Sequence, residues 1–219
     1  MWYNCIKIHA FPLAKRVIKI KDISNKKLNE LFNKNKGILK TNQLKKAGLS
    51  DREIKKLLIQ GKINKIKRGY YEINNNIYPE DVIIARLFPE AIIYLESALF
   101  HYKYIDRVPS ETQIAVNKNN EKSKYKIDYP LIKVFYIEPK ILQIGVDYYE
   151  KMGIKIKIFD RDKTICDVMR YRNKLDVEIF RKSIKSYIND QNKNLKNLEL
   201  YSKKLNIQDK IDKYLGVWL

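Results

Sequence analysis

The chain has 219 residues, enough for one or two domains with a real core. Lys and Arg number 45 against 25 Asp and Glu, a formal net charge of +20, while 45% of residues are hydrophobic and 32% are charged. This is a globular composition with a cation excess, which excludes a disordered chain; the 7 Gly and 6 Pro exclude collagen-like and Pro-rich architectures.

The 2 Cys and 2 His are too few for a four-ligand zinc site unless all take part, so neither a metal nor a cofactor is expected. Cys5 and Cys166 stand far apart, which favours a reducing compartment over a disulfide framework. No apolar run approaches the roughly 18 to 20 residues that cross a bilayer, so a soluble, cytoplasmic protein is expected. Lys, Asn, Ile and Tyr are abundant, as AT-rich codons produce, but codon bias acts evenly along a chain. Residues 1–76 hold 19 Lys/Arg and 5 Asp/Glu, and residues 77–219 hold 26 and 20. An excess concentrated in this way is the footprint of a nucleic-acid partner. A membrane surface would call for a strong basic amphipathic helix, and none is evident.

In chain order, residues 1–23 form an arm with Trp2, Phe11 and Pro12 scattered among cations and without signal-peptide architecture. Two readings stay open for it: an ordered arm, or a weakly structured stretch before a start near Ser24. Ser24 caps a helix with Leu28, Leu31 and Phe32 at i, i+3, i+4 spacing, ended by Gly37. Thr41 caps a short helix with Leu44 and Ala47, stopped by Gly48. Ser50-Asp51-Arg52-Glu53 is a capping box, and the third helix buries Ile54, Leu57 and Leu58. Ile63 to Lys67 and Tyr70 to Ile73 are strands joined by an Arg68-Gly69 turn, and Asn74 to Asn76 with Pro79 form a linker. Domains are thus expected at 24–76 and 77–219. Beyond the linker, helices are predicted over 80–88 and 95–104 and strands over 112–117 and 132–138. Ile154, Ile156 and Ile158 mark another strand. Helices follow: one capped by Asp162 with Ile165, Val168 and Met169, one with Val177, Phe180, Ile184 and Tyr187 or Ile188 on one face, and one around Leu195, Leu198 and Tyr201. A tail ends at Tyr214-Leu215. Strands come before helices, which gives α+β.

Three helices and a basic hairpin make a winged helix-turn-helix. With Ile54, Leu57 and Leu58 buried, about 100° per residue sends Arg52, Lys55, Lys56 and Ile59 outward. The major groove admits such a helix, its N-terminal part meeting base edges. Arg52 has the fork that reads guanine, and Lys55 and Lys56 suit phosphates. The hairpin adds Lys62, Lys65, Lys67 and Arg68, and Thr41 and Ser50 stand at the two helix starts as further DNA contacts. Arg170, Arg172 and Lys174 form a second basic cluster, for DNA, a partner protein or solvent alone.

The run GILKTNQLKKAGLSDREIKKLLIQGKINKIKRGYYEI (37–73) resembles the N-terminal domain of the AbiEi family, abortive-infection antitoxins of type IV toxin–antitoxin systems. ESALFHYKYIDRVPSETQIAVN (96–117) resembles its Ser-Ala helix, Pro turn and strand, and IKIFDRDKTICDVMRYRNKLDVEIFRKSIKSYI (156–188) its later strand–helix–helix segment. The resemblance extends over nearly everything after Ile23. It implies a two-domain repressor without catalysis that binds repeats in its own promoter. It also implies a C-terminal domain that counters a co-transcribed nucleotidyltransferase-like toxin, direct contact being left open.

An enzyme tethered to nucleic acid, such as a nuclease or nucleotidyltransferase, is the runner-up, and a regulator unrelated to toxins the third reading. The enzyme would use Asp160-x-Asp162 for metal, but no Gly-Ser phosphate loop and third carboxylate accompany the pair. It is better explained by Asp160 ending a strand and Asp162 capping a helix. His101 has no nucleophile pattern around it and is expected as a partly buried helix residue. Cys166 is expected to be inert on an apolar helix face. Of Tyr70 and Tyr71, at least one is expected to pack the wing against the helices rather than stack on bases.

Overall fold

The computed structural model describes residues 25–74 and 78–216. The arm 1–23 with Cys5, the Ser24 cap, and Asn75 and Asn76 of the expected linker lie outside the described residues.

The first unit runs α1 (Asn25–Lys34), β1 (Ile38–Lys40), α2 (Thr41–Lys46), α3 (Asp51–Ile59), β2 (Ile63–Lys67) and β3 (Tyr70–Ile73). β1, too short to show a periodicity, pairs antiparallel with β3 and completes a sheet of order β1-β3-β2. Leu28, Phe32, Leu39, Leu44, Leu49, Ile54, Leu57 and Ile63 fill the space between helices and sheet. Three local expectations shift. Lys40, not Thr41, is the N-cap of α2, its N–H taken by Gln43 Oε1 at 2.8 Å. Ala47 is exposed because α2 ends before it. Leu58 is only half-buried, at the edge of the apolar stripe.

The second unit runs α4 (Glu80–Leu87), β4 (Ile92–Ile93), α5 (Leu95–His101), β5 (Thr112–Asn117), β6 (Ile132–Ile137), α6 (Pro139–Leu142), β7 (Val146–Lys151), β8 (Ile154–Phe159), α7 (Arg161–Tyr171), α8 (Val177–Ile188), α9 (Leu195–Lys204) and α10 (Gln208–Leu215). The strands form one mixed sheet, β6-β5-β4-β8-β7, so the chain is α+β. Its two faces are read from alternation along the strands. Ile93, Ile114, Val116, Ile156 and Ile158 pack with α4. Ile92, Ala115, Ile137 and Phe159 pack with Tyr94, Leu95, Leu142 and Tyr171 on the face of α5, α6 and α7. The α8 face is rotated from the expected one: Ile179, Ser183 and Tyr187 are buried, and Val177 is 65% exposed. The expected tail is the helix α10, which buries Ile211 and Leu215.

The two units share a core. Ile38 and Ile66 are buried in the same cluster as Val82, Ile83 and Leu87 of α4, with Tyr70 packed against it. Arg86 Nη2 donates to the Asn35 and Ile38 carbonyls at 2.9 and 3.3 Å. Gly37, at φ +83°, lies under the Tyr78 ring, where a Cβ would come within 2.3 Å of ring carbon. Only glycine meets both demands there.

Candidate nucleic-acid interface

α3 is held at its start by reciprocal capping: Ser50 Oγ accepts from the Glu53 N–H at 3.3 Å and Glu53 Oε2 accepts from the Ser50 N–H at 2.7 Å. The Ser50 hydroxyl donates to the same carboxylate at 2.7 Å, so it serves the cap. With Ile54 and Leu57 inward, Arg52, Lys55 and Ile59 are exposed on the opposite side, Ile59 at 78%. Lys56 is half-buried and engaged within the protein.

At the hairpin end, Gly69 at φ +80° closes the turn after Arg68. Its carbonyl accepts the Thr41 N–H at 3.0 Å and lies 3.4 Å from Thr41 Oγ1. Thr41 thus ties the start of α2 to the turn instead of capping α2. A register shift between Lys65 and Lys67 leaves Lys65 exposed while Lys67 turns inward. Lys67 Nζ donates to the Lys124 carbonyl at 2.5 Å and sits 5.0 Å from the centroid of the Phe88 ring. Burial, and then the nearby Lys124 charge, lower its pKa. Tyr71 packs with the helical core and Tyr70 with the α4 side, its ring 5.4 Å from Lys40 Nζ.

The electrostatic pattern is uneven. Lys45 pairs with Asp51 at 2.9 Å. Among the described residues no carboxylate forms an ion pair with Arg52, Lys55, Lys62, Lys65 or Arg68. A folded protein that leaves cations unpaired on one helix face and the adjoining hairpin is suited to phosphates.

The second basic cluster is elsewhere. Arg170 Nη1 pairs with Asp167 at 3.0 Å. The Arg172 guanidinium contacts Tyr214 and lies 5.6 Å from the Phe180 centroid, and Lys174 stands 5.7 Å from the Tyr171 centroid. Tyr171 belongs to the sheet face opposite α4, so this cluster lies behind the sheet as seen from the first unit.

Asp160, not Asp162, is the N-cap of α7, accepting the Lys163 N–H at 2.7 Å and the Tyr201 hydroxyl at 2.9 Å. The expected cap shifts by two residues because β8 runs directly into the helix. Asp162 is buried, taking Tyr187 OH at 2.8 Å and the Asn194 N–H at 2.9 Å. Among the described residues no group of three His, Cys, Asp or Glu is arranged to hold a metal ion. His101 ends α5 and is exposed rather than partly buried, because it stands in the last turn; its ring lies 4.1 Å from that of Tyr149, and partial desolvation there lowers its pKa. Cys166 is buried, and desolvation raises its thiol pKa. Among the described residues no helix is long and apolar enough to cross a membrane.

The sequence reading missed Lys122, Lys124 and Lys126. They lie in and beside a 3-10 turn, Lys122–Tyr125, that tertiary folding brings to the hairpin from 57 residues away. No local pattern signals that approach.

Residues 26–74 match the family described as transcriptional regulator, AbiEi antitoxin, a span that runs from α1 to the end of the hairpin. A comparison with curated proteins found no match. Among solved structures, the crystal structure of the RV2827C protein from Mycobacterium tuberculosis is similar at a TM-score of 0.63 and 12% identity, covering 87% of this chain and 75% of that one. At that identity the likeness concerns the fold.

Proposed function

We propose that the chain is a DNA-binding transcriptional repressor and the antitoxin of a type IV toxin–antitoxin pair, regulating its own promoter through repeats, in the cytoplasm and without catalysis. Residues 25–74 act as a winged helix-turn-helix: α3 enters the major groove and the β2–β3 hairpin, as the wing, meets the adjacent backbone. The observation that carries this is that, among the described residues, Arg52 and Lys55 on α3 and Lys62, Lys65 and Arg68 at the hairpin form no ion pair, within the span that matches the antitoxin regulator family. Arg52, in the first turn of α3, is placed to take a guanine O6/N7 edge, and Lys55, Lys62, Lys65 and Arg68 to take phosphates.

The partner in antitoxicity is a nucleotidyltransferase-like toxin encoded beside the gene. The test measures affinity of the full chain for a duplex of its own promoter. Arg52→Ala should cost about 1–3 kcal/mol there and relax base preference at one position. Induction of the neighbouring gene should arrest growth, and co-expression of this chain should restore it. A chain with no salt-dependent affinity for its promoter would refute the repressor reading. Continued arrest on co-expression would refute the antitoxin reading.

A further inference from the structure

We propose that the segment 118–126 of the second unit extends the duplex-binding surface beyond the wing, Lys122 and Lys126 holding backbone phosphates next to the site that α3 reads. This rests on the proposed function of α3 and the hairpin.

The segment adjoins the hairpin directly, since Lys67 Nζ reaches the Lys124 carbonyl at 2.5 Å. It carries Lys118, Lys122, Lys124 and Lys126 against the single acid Glu121. Two of the four are paired within the protein: Lys118 with Glu138, and Lys124 with Glu90 at 2.6 Å. Lys122 and Lys126 are exposed, and among the described residues neither forms an ion pair. The Lys122 ammonium stands 5.7 Å from the Tyr136 centroid, on the sheet face that carries α4 and the first unit.

The segment is also pre-set. Tyr125 is buried, its hydroxyl donates to Glu90 Oε1 at 2.7 Å and accepts from Asn120 Nδ2 at 2.6 Å, and its ring lies 5.0 Å from Phe88. Phe88 in turn lies under the Lys67 ammonium. One aromatic stack therefore fixes both the wing and the segment, so little ordering remains for binding to supply. Bringing Lys124 against Lys67 across a tertiary junction sets cations of the hairpin and of the segment beside one another, a repulsion that a polyanion relieves. The lowered pKa of Lys67, due to burial and then to Lys124, reflects the same crowding. Arg170, Arg172 and Lys174, behind the sheet, are not placed to share this duplex.

The experiment titrates salt against binding of the full chain to a promoter duplex and to an unrelated duplex. Lys122→Ala/Lys126→Ala is compared with wild type, with Lys65→Ala/Arg68→Ala, and with Lys185→Ala/Lys196→Ala on the far helices. Loss of two phosphate contacts should flatten the slope of log K against log salt by about 1.8 on both duplexes. Between about 50 and 200 mM salt, wild type should then lose about twelvefold more affinity than the variant. The far-helix pair should behave as wild type. A wild-type slope in Lys122→Ala/Lys126→Ala, with a flattened one in Lys65→Ala/Arg68→Ala, would overturn the extension and leave the wing assignment standing. Absence of duplex binding by wild type would overturn both.

Discussion

The strongest test of the packing behind the sheet is Asp167→Asn. Lys163 and Asp167 sit one turn apart on α7 with both side chains fully buried and in contact. Arg170 touches the same carboxylate but keeps 27% of its side chain exposed. The Lys163 stem is wedged against Gly145, where a Cβ would come within 2.5 Å of Lys163 Cβ, and its ammonium lies 4.1 Å from the Phe159 centroid. The ammonium thus has no route to water when its anion is removed. Leaving a buried charge unpaired costs about 3–5 kcal/mol. The isosteric amide still accepts a hydrogen bond, which places Asp167→Asn near about 3 kcal/mol. For a chain of this size that lowers the midpoint by about 6–12 °C. Thermal unfolding by circular dichroism measures it, with DNA affinity at low temperature as the companion, expected to be unchanged because α7 faces away from the first unit. Lys163→Met/Asp167→Leu should recover most of the loss, since apolar replacement of a buried pair is often neutral or stabilising. A single variant within about 1 kcal/mol of wild type, or a double variant worse than the single, would refute the argument.

Two further outcomes are expected. If the whole outer face of α3 lies along the groove as proposed, Ile59, 78% exposed at its C-terminal end, is expected to meet a thymine methyl; replacing thymine by uracil across the operator should then weaken wild type by about fourfold, the worth of one buried methyl, and leave Ile59→Ala unaffected. Asp160, whose pKa burial raises to about 6, binds a proton more readily folded than unfolded, so its contribution to stability is fully present below its unfolded value and is lost as pH rises through about 6. Asp160→Asn keeps a side-chain oxygen for the α7 cap and should be at least as stable as wild type at pH 7, with that rise on acidification gone from its urea unfolding; an unaltered pH profile would count against a buried, ionising Asp160.

Much of the first unit was legible because its signals are local. The Ser50 and Glu53 spacing, the glycines after each helix and the alternation around Arg68-Gly69 place α2, α3, β2 and β3 within a residue or two. What escaped depends on contacts distant in sequence. β1 has three residues and β4 has two, and each exists because a neighbouring strand supplies its hydrogen bonds. The buried face of α8 follows Tyr187, whose hydroxyl is drawn to Asp162, so the most apolar stripe is not the buried one. Lys67 was legible as a hairpin cation, but not its engagement with Lys124 and Phe88. Of the outward set Arg52, Lys55, Lys56 and Ile59 that helical periodicity gives, Arg52, Lys55 and Ile59 are exposed, while Lys56 is half-buried through contacts that periodicity does not reveal.

That shared core bears on how repression and antitoxicity are to be separated. Division at the Asn-rich segment, after residue 76, is the cut that composition suggests. Ile38 and Ile66 on one side and Val82, Ile83 and Leu87 on the other are buried against each other, however, and Arg86 closes the Asn35 and Ile38 carbonyls. Each fragment would expose an apolar face and orphan polar groups, with a cost per buried large side chain of about 1.5–3 kcal/mol. Failure of a fragment to rescue growth would then report folding rather than function. Point variants in the full chain avoid this. Arg52→Ala and Lys65→Ala/Arg68→Ala alter exposed side chains outside the shared core, so they leave the second unit folded. If antitoxicity resides in the second unit, those variants relieve the toxin as well as wild type while losing the promoter.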